Sequence, residues 1–195
     1  MATPEKVSHW IEAFGQKITD NKAYLNELDT AIGDGDHGSN LTRGAAAIKE
    51  KMLETEYDNL SDLFKDVGMT LVSKVGGASG PLYGTAFIEM AKTAKNSQDI
   101  NELLQAGLDG IQKRGKAEAG EKTMVDEWIP VIEAVKSGSL SNELIAESLQ
   151  KTKDMKATKG RASYLGERSI GHIDPGAQSS AYLFETMLEA GVLDE

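Results

Sequence analysis

The sequence predicts an all-α protein, and three features carry that expectation. Apolar residues recur at helical spacing in segment after segment, the pattern of helices that each bury one face. No segment alternates apolar with polar residues and adds β-branched enrichment, as a half-buried strand would. The segments are joined by short connections, which favours antiparallel neighbours in a bundle.

Taken in order, Val7, Trp10, Ile11, Phe14 and Ile18 mark the first helix. Residues 40–53 are rich in Ala, Leu, Lys and Glu and free of proline, which predicts a second. Leu60, Leu63, Phe64, Val67, Leu71 and Val75 mark a third, ended by Gly76-Gly77. A fourth runs over 83–94 with Pro81 near its start, and a fifth over 100–112, with Leu103, Leu104, Leu108 and Ile111 on one face. A sixth covers 125–135, where Pro130 lacks an N–H and should kink it. Segments 140–155 and 177–190 bring the total to about eight. Glycine collects in four connections, 33–38, 76–84, 115–120 and 160–176, which also carry polar and charged groups. Helix connections need few glycines, so four such loops point to a ligand site gathered from loops.

At 195 residues the chain fits one domain, 1–195, with a sizeable core. A net charge of −10 argues against a nucleic-acid surface, which needs a basic stripe. The absence of cysteine excludes disulfides, thiolate nucleophiles and zinc–sulfur sites. No apolar run reads as a signal peptide or reaches the roughly 20 residues of a membrane span, so a cytoplasmic protein away from membranes is expected.

The most informative segment is Asp29-Thr-Ala-Ile-Gly-Asp34-Gly-Asp36-His37-Gly38, with three carboxylates in eight residues. Like charges so close repel unless a cation neutralises them. Oxygen ligands without sulfur suit Mg²⁺ or another hard cation. A polar turn capping the next helix is the alternative, since Asp, Gly and Ser also serve turns. A calcium hand fails on spacing: counted from Asp34, positions six and twelve hold Ser39 and Ala45 instead of Gly and Glu.

Gly76-Gly-Ala-Ser79-Gly80-Pro81 runs from a helix end into a helix start, where amides and the Ser79 hydroxyl can cradle phosphate or simply cap two helices. Gly110-Ile-Gln-Lys-Arg-Gly115-Lys116-Ala117 nearly matches a phosphate-binding P-loop, yet lacks the final hydroxyl and follows a helix, not a strand. Lys113, Arg114 and Lys116 read as solvated cations. The stretch from Lys159 to Gly176 has no hydrophobic period; Arg161 and Arg168 can pair with phosphate or with nearby acids, and Asp174-Pro175-Gly176 reads as a tight turn. His9, His37 and His172 form no metal or triad spacing.

Together, Ile32-Gly-Asp-Gly-Asp-His-Gly38, Gly76-Gly-Ala-Ser-Gly-Pro-Leu82, Arg114-Gly-Lys-Ala117 and Lys159 through Gly176 resemble the nucleotide-binding L subunits of bacterial dihydroxyacetone kinases, over essentially the whole chain. The resemblance implies a barrel-like up-and-down bundle of eight antiparallel helices holding ADP and two Mg²⁺ at one end. It assigns the metals to Asp29, Asp34 and Asp36. Phosphate contacts fall on His37, Gly38, Ser39, Asn40, Ala78 and Ser79. Gly115, Met124, Arg161, Asp174, Pro175 and Gly176 would hold the rest of the nucleotide, with Met124 against the base. In such systems dihydroxyacetone binds a separate K subunit, and a phosphohistidine on an M subunit recharges the bound ADP. His37, where ATP-dependent single-chain kinases tend to carry Cys, favours this phosphotransferase-linked branch. An ATP-exchanging subunit and a nucleotide-state sensor read by a transcriptional regulator are the alternatives.

Overall fold

The computed structural model describes residues 1–194. It contains nine α-helices and one 3-10 helix among the described residues, and no strand. The helices are α1 (Pro4–Asp20), α2 (Lys22–Ile32), α3 (His37–Glu54), α4 (Leu60–Lys74), α5 (Ser79–Thr93), α6 (Ile100–Gly115), α7 (Val125–Ser137), α8 (Asn142–Asp154) and α9 (Pro175–Glu189). The 3-10 helix spans Arg161–Ser169.

Eight of these helices close a ring. Each of α3 to α8 packs on its successor, α9 returns to α1, and α1 packs on α3. The N-termini of α3, α5, α7 and α9 meet at one end, together with the C-termini of α4, α6 and α8, so neighbours run antiparallel. Inside the ring lie Trp10, Phe64, Tyr83, Phe87, Trp128 and Phe184, all less than 2% exposed. Burial of such large apolar side chains is the main force holding the ring. Trp10 donates its Nε1 hydrogen to Leu183 O at 2.7 Å, pinning α1 to α9, and Trp128 meets Phe184 edge-on at 5.0 Å. No helix is long and apolar enough to cross a membrane among the described residues.

The eight helices expected from periodicity are the eight of the ring. Two elements are additional. α2 lies against α3, α9 and the 3-10 helix at the end of the ring, and only Leu25 and Ile32 of its eleven residues are buried. With so little apolar surface it leaves no hydrophobic period to read. The second addition is the 3-10 helix, within a stretch expected to be irregular; it buries only Ser169 and is broken at Gly166, where φ is 57°. Helix starts also fall earlier than expected. α3 begins at His37 and α5 at Ser79, because polar, glycine-containing first turns carry no apolar signal. The chain remains helical through Pro130.

Candidate functional site

The loops at the convergent end enclose a cavity of about 500 Å³. That is ample for a small-molecule ligand. Its wall takes residues from the end of α2, the first turns of α3, α5, α7 and α9, the end of α6, and the start of the 3-10 helix. Four helix N-termini around one cavity turn their positive dipole ends toward it, and α5 has no side-chain cap on its first amides, an environment for an anion.

On one side of this cavity sit Asp29, Asp34 and Asp36, with a ligand oxygen of each within 4.8 Å of the others. Asp29 is mounted on α2, and its Oδ2 accepts the backbone N–H groups of Asp36 at 2.9 Å and His37 at 3.0 Å. This carboxylate therefore caps α3 and leaves Oδ1 free. A Cβ at Gly33 would lie 2.0 Å from that Oδ1, so a larger residue there would displace the carboxylate from its place. Gly35 provides the reversal at φ 79°, a conformation glycine adopts without strain. Burial raises the Asp29 pKa, two amide bonds oppose it, and the Asp34 charge adds to the rise. Asp34 is held low by hydrogen bonding to Asp36 and by Arg161, 3.5 Å away. An oxygen-only cluster under mutual repulsion, with a carboxylate oxygen left free, fits a hard divalent cation.

Opposite the carboxylates, α5 opens with Ala78 and Ser79. The Ser79 hydroxyl is 2.9 Å from His37 Nδ1, and His37 Nε2 is 2.9 Å from Ser179 Oγ. Burial pulls this imidazole down to about 4, against the pull of the Asp34 charge, so the ring is neutral with one donor and one acceptor nitrogen. Ser179 and Ser180 both meet the Tyr83 hydroxyl, at 2.7 and 2.8 Å, and Trp128 Nε1 donates to Ser180 at 3.0 Å. A buried polar chain thus runs from the cavity wall at Ser79 into the core.

The far wall joins Met124 to Asp174-Pro175-Gly176. These three residues are not the tight turn expected but the N-cap and first turn of α9, where proline is favoured because its missing N–H needs no partner. A Cβ at Gly176 would stand 3.5 Å from Met124 Cβ, so the two walls touch. Asp174 caps α9 by accepting Ala177 N–H at 2.8 Å, and burial pushes its carboxyl up to about 7. Gly115 closes α6, and a Cβ there would come within 3.0 Å of Leu82.

Of the residues expected at the site, Asp29, Asp34, Asp36, His37, Asn40, Ala78, Ser79, Gly115, Met124, Arg161, Asp174, Pro175 and Gly176 all line this cavity. Gly38 and Ser39 lie behind it. Gly38 lets α3 pass so close to α2 that a Cβ would be 2.2 Å from Lys22 O, and Ser39 exchanges two hydrogen bonds with Asn26, each 3.0 Å. Sequence reasoning missed Lys122 and Thr123, and took Arg114 for a solvated cation; all three line the cavity. A lysine in a polar loop gives no sequence signal that it turns inward.

Residues 31–189 match the DAK2 domain. The chain belongs to the DAK2 domain family. Within that family it is 55% identical to the ADP-binding subunit DhaL of PEP-dependent dihydroxyacetone kinase 1 from Listeria innocua, over 94% of each chain. It is also 55% identical to the ADP-binding subunit DhaL of the PTS-dependent dihydroxyacetone kinase of Lactococcus lactis, covering 97% of this chain and 98% of that one. Among solved structures, the dihydroxyacetone kinase of C. freundii in complex with AMP-PNP and Mg²⁺ superposes with a TM-score of 0.78 at 26% identity. That superposition covers 96% of this chain and 34% of the kinase, so this DAK2 chain corresponds to about a third of the longer enzyme. The DAK2 match begins two residues after Asp29, whereas the two DhaL relatives align over nearly the whole chain.

Proposed function

We propose that residues 1–195 form one ADP-binding domain, the nucleotide subunit of a PEP-dependent dihydroxyacetone kinase in the cytoplasm. In this reading the bound ADP takes a phosphoryl group from a phosphohistidine of one partner subunit. The γ-phosphoryl then passes to dihydroxyacetone held by a second. The observation that carries the reading is the meeting of three carboxylates within 4.8 Å at a cavity ringed by helix N-termini. One half of such a site suits divalent cations and the other suits the phosphates those cations bind. Its likeness to the DhaL subunits supplies the substrate class.

Asp29, Asp34 and Asp36 would hold two Mg²⁺ ions, which when bound neutralise phosphate charge and keep the reacting oxygens in line. The amides of Asp36 and His37 hold the Asp29 carboxylate in one orientation. Ser79 and the first amides of α5 bind phosphate oxygens, and neutral His37 fixes the Ser79 hydroxyl through Nδ1. With Nδ1 donating, the Ser79 hydrogen is free for the phosphate; with Nδ1 accepting, its lone pairs face the cavity. Arg161, at the mouth, balances the charge of Asp34, and its guanidinium would pair with a phosphate oxygen. Met124, Gly115 and the Asp174-Pro175-Gly176 turn hold base and ribose, and Asn40 completes the phosphate side.

Native mass spectrometry of the purified chain, before and after dialysis against EDTA with a nucleotide-degrading enzyme, tests this. The expected result is retained mass equal to ADP plus two Mg²⁺, lost only with chelator. Metal-dependent nucleotide that washes away freely would favour an ATP-exchanging subunit. A chain that takes up no nucleotide even when ADP and Mg²⁺ are supplied overturns the reading.

A further inference from the structure

The loop between α6 and α7 contains a buried cation that the functional reading leaves unused. Lys122 is 1% exposed and sits at φ 64°, a left-handed conformation that is strained for a non-glycine residue. Burying an ammonium adds a desolvation cost. A residue carries both burdens only where its surroundings over-determine it, and such places collect at functional sites.

The surroundings here are specific. The Asp126 carboxylate grips the loop from beneath, accepting Gly120 N–H at 2.6 Å and Thr123 N–H at 3.0 Å. The Lys122 ammonium then donates to the carbonyl oxygens of Thr152 and His172, with Lys153 O at 3.4 Å. Thr152 and Lys153 form the last turn of α8, where carbonyls lack helical partners and the dipole favours a cation. Three convergent carbonyls match the three donors of an ammonium, a geometry that the flat guanidinium of arginine does not reproduce. Thr152 is shared further: its hydroxyl accepts the Asp174 N–H at 3.2 Å. Burial pulls the Lys122 pKa down, while the charges of Asp174, Asp154 and Asp126 push it back up.

Position in the chain gives the contact its consequence. Lys122 lies two residues before Met124, and His172 two residues before Asp174. The clip therefore ties together the two segments that supply the far wall of the cavity, whose faces meet at Met124 and Gly176. The carboxylates stand on α2 and its following loop, outside the clip. We infer that Lys122 is a positioning residue that fixes the spacing between Met124 and the Asp174–Gly176 turn, and so governs grip on the nucleoside part of the ligand and not on its phosphates.

This inference rests on the nucleotide reading above, and the test separates the two. Calorimetric titration would compare wild type, Lys122→Met and Thr152→Val with two probes, Mg-ADP and Mg-pyrophosphate. Pyrophosphate offers the phosphate part alone. Lys122→Met is expected to weaken ADP about 10- to 100-fold and pyrophosphate by less than about 2-fold, consistent with a misplaced binding wall costing ~1.4–2.8 kcal/mol. Thr152→Val, which keeps the clip but frees the Asp174 amide, should show the same split at about 3- to 10-fold. If Lys122→Met does not fold by circular dichroism, Lys122→Arg, whose flat guanidinium does not reproduce the three carbonyl contacts, takes its place with the same expected split. Equal losses for both probes, or unchanged ADP affinity, overturn the inference while leaving the nucleotide reading intact. A wild-type chain that binds pyrophosphate and ADP equally, or neither, removes the nucleotide reading and this inference with it.

Discussion

At the residue scale the chemistry divides into charges that a ligand answers and charges that the fold answers itself. In the proposed function Asp34 and Asp36 belong to the first kind; among the described residues the one ion pair they make is that of Asp34 with Arg161. Asp34→Ala and Asp36→Ala should each lower metal-dependent ADP affinity by at least about 100-fold, the loss of one charged ligand worth ~2.8 kcal/mol or more. The fold should survive, because both side chains sit at the cavity mouth; titration calorimetry beside circular dichroism checks both halves. Glu127 is of neither kind. It is 0% exposed, neither carboxyl oxygen has a hydrogen-bond partner among the described residues, and burial with help from the Glu185 charge pushes its pKa up to about 9. The folded chain thus keeps a proton that the unfolded chain loses above its ordinary value of 4.5. Unfolding then releases a proton between those two values, and stability falls as pH rises through that window. Glu127→Gln removes the titration. Its melting temperature should match wild type near pH 4.5 and exceed it by about 4–8 °C at pH 8, for a gain on the order of 2 kcal/mol. A gap that stays constant with pH would show that Glu127 does not titrate in this window.

At the scale of elements, the informative helix is the one without a sequence signal. α2 carries Asp29, buries few apolar residues, and is held by polar bonds from Asn26 to Ser39 and by the close pass of Gly38 under Lys22 O. A methyl group at position 38 cannot fit there without backbone movement. Gly38→Ala should therefore separate α2 from α3, cost about 2 kcal/mol or more of stability, and loosen Asp29 from the Asp36 and His37 amides. Chemical denaturation would report the first loss and Mn²⁺ titration the second; normal values of both would contradict the packing account. This element also marks how far the sequence can be read. The eight ring helices were legible because each buries a periodic apolar face, and the meeting of the three carboxylates because they stand within eight residues of one another. The helical mounting of Asp29 was not, since α2 pays its way in hydrogen bonds that leave no period. Nor was Lys122, whose partners are backbone carbonyls 30 and 50 residues away. Carbonyl positions belong to the fold and are silent in the residue types.

At the scale of the molecule, the ring and the elements at its end surround one ligand volume: α2, α3, α5, α6, α7, α9 and the 3-10 helix all reach the cavity. A ligand there touches helices from opposite parts of the ring, so its binding energy opposes global unfolding and not merely the fraying of one loop. The chain also carries a net charge of −10, and one side of its cavity holds the cluster of three carboxylates, which repels a bare nucleotide polyphosphate. Metal and ADP should therefore stabilise together and hardly at all apart. At a ligand concentration about 100 times its dissociation constant, linkage contributes ~2.7 kcal/mol. For a chain of this length that corresponds to a rise in melting temperature of about 5–11 °C. Scanning fluorimetry with Mg²⁺ alone, ADP with EDTA, and ADP with Mg²⁺ reads all three cases in one experiment. Shifts under about 2 °C for the first two and the full rise for the third are expected, on the same linkage relation. An equal rise for ADP in EDTA would mean that the nucleotide binds without the carboxylate cluster, and the metal would then have no part in holding it.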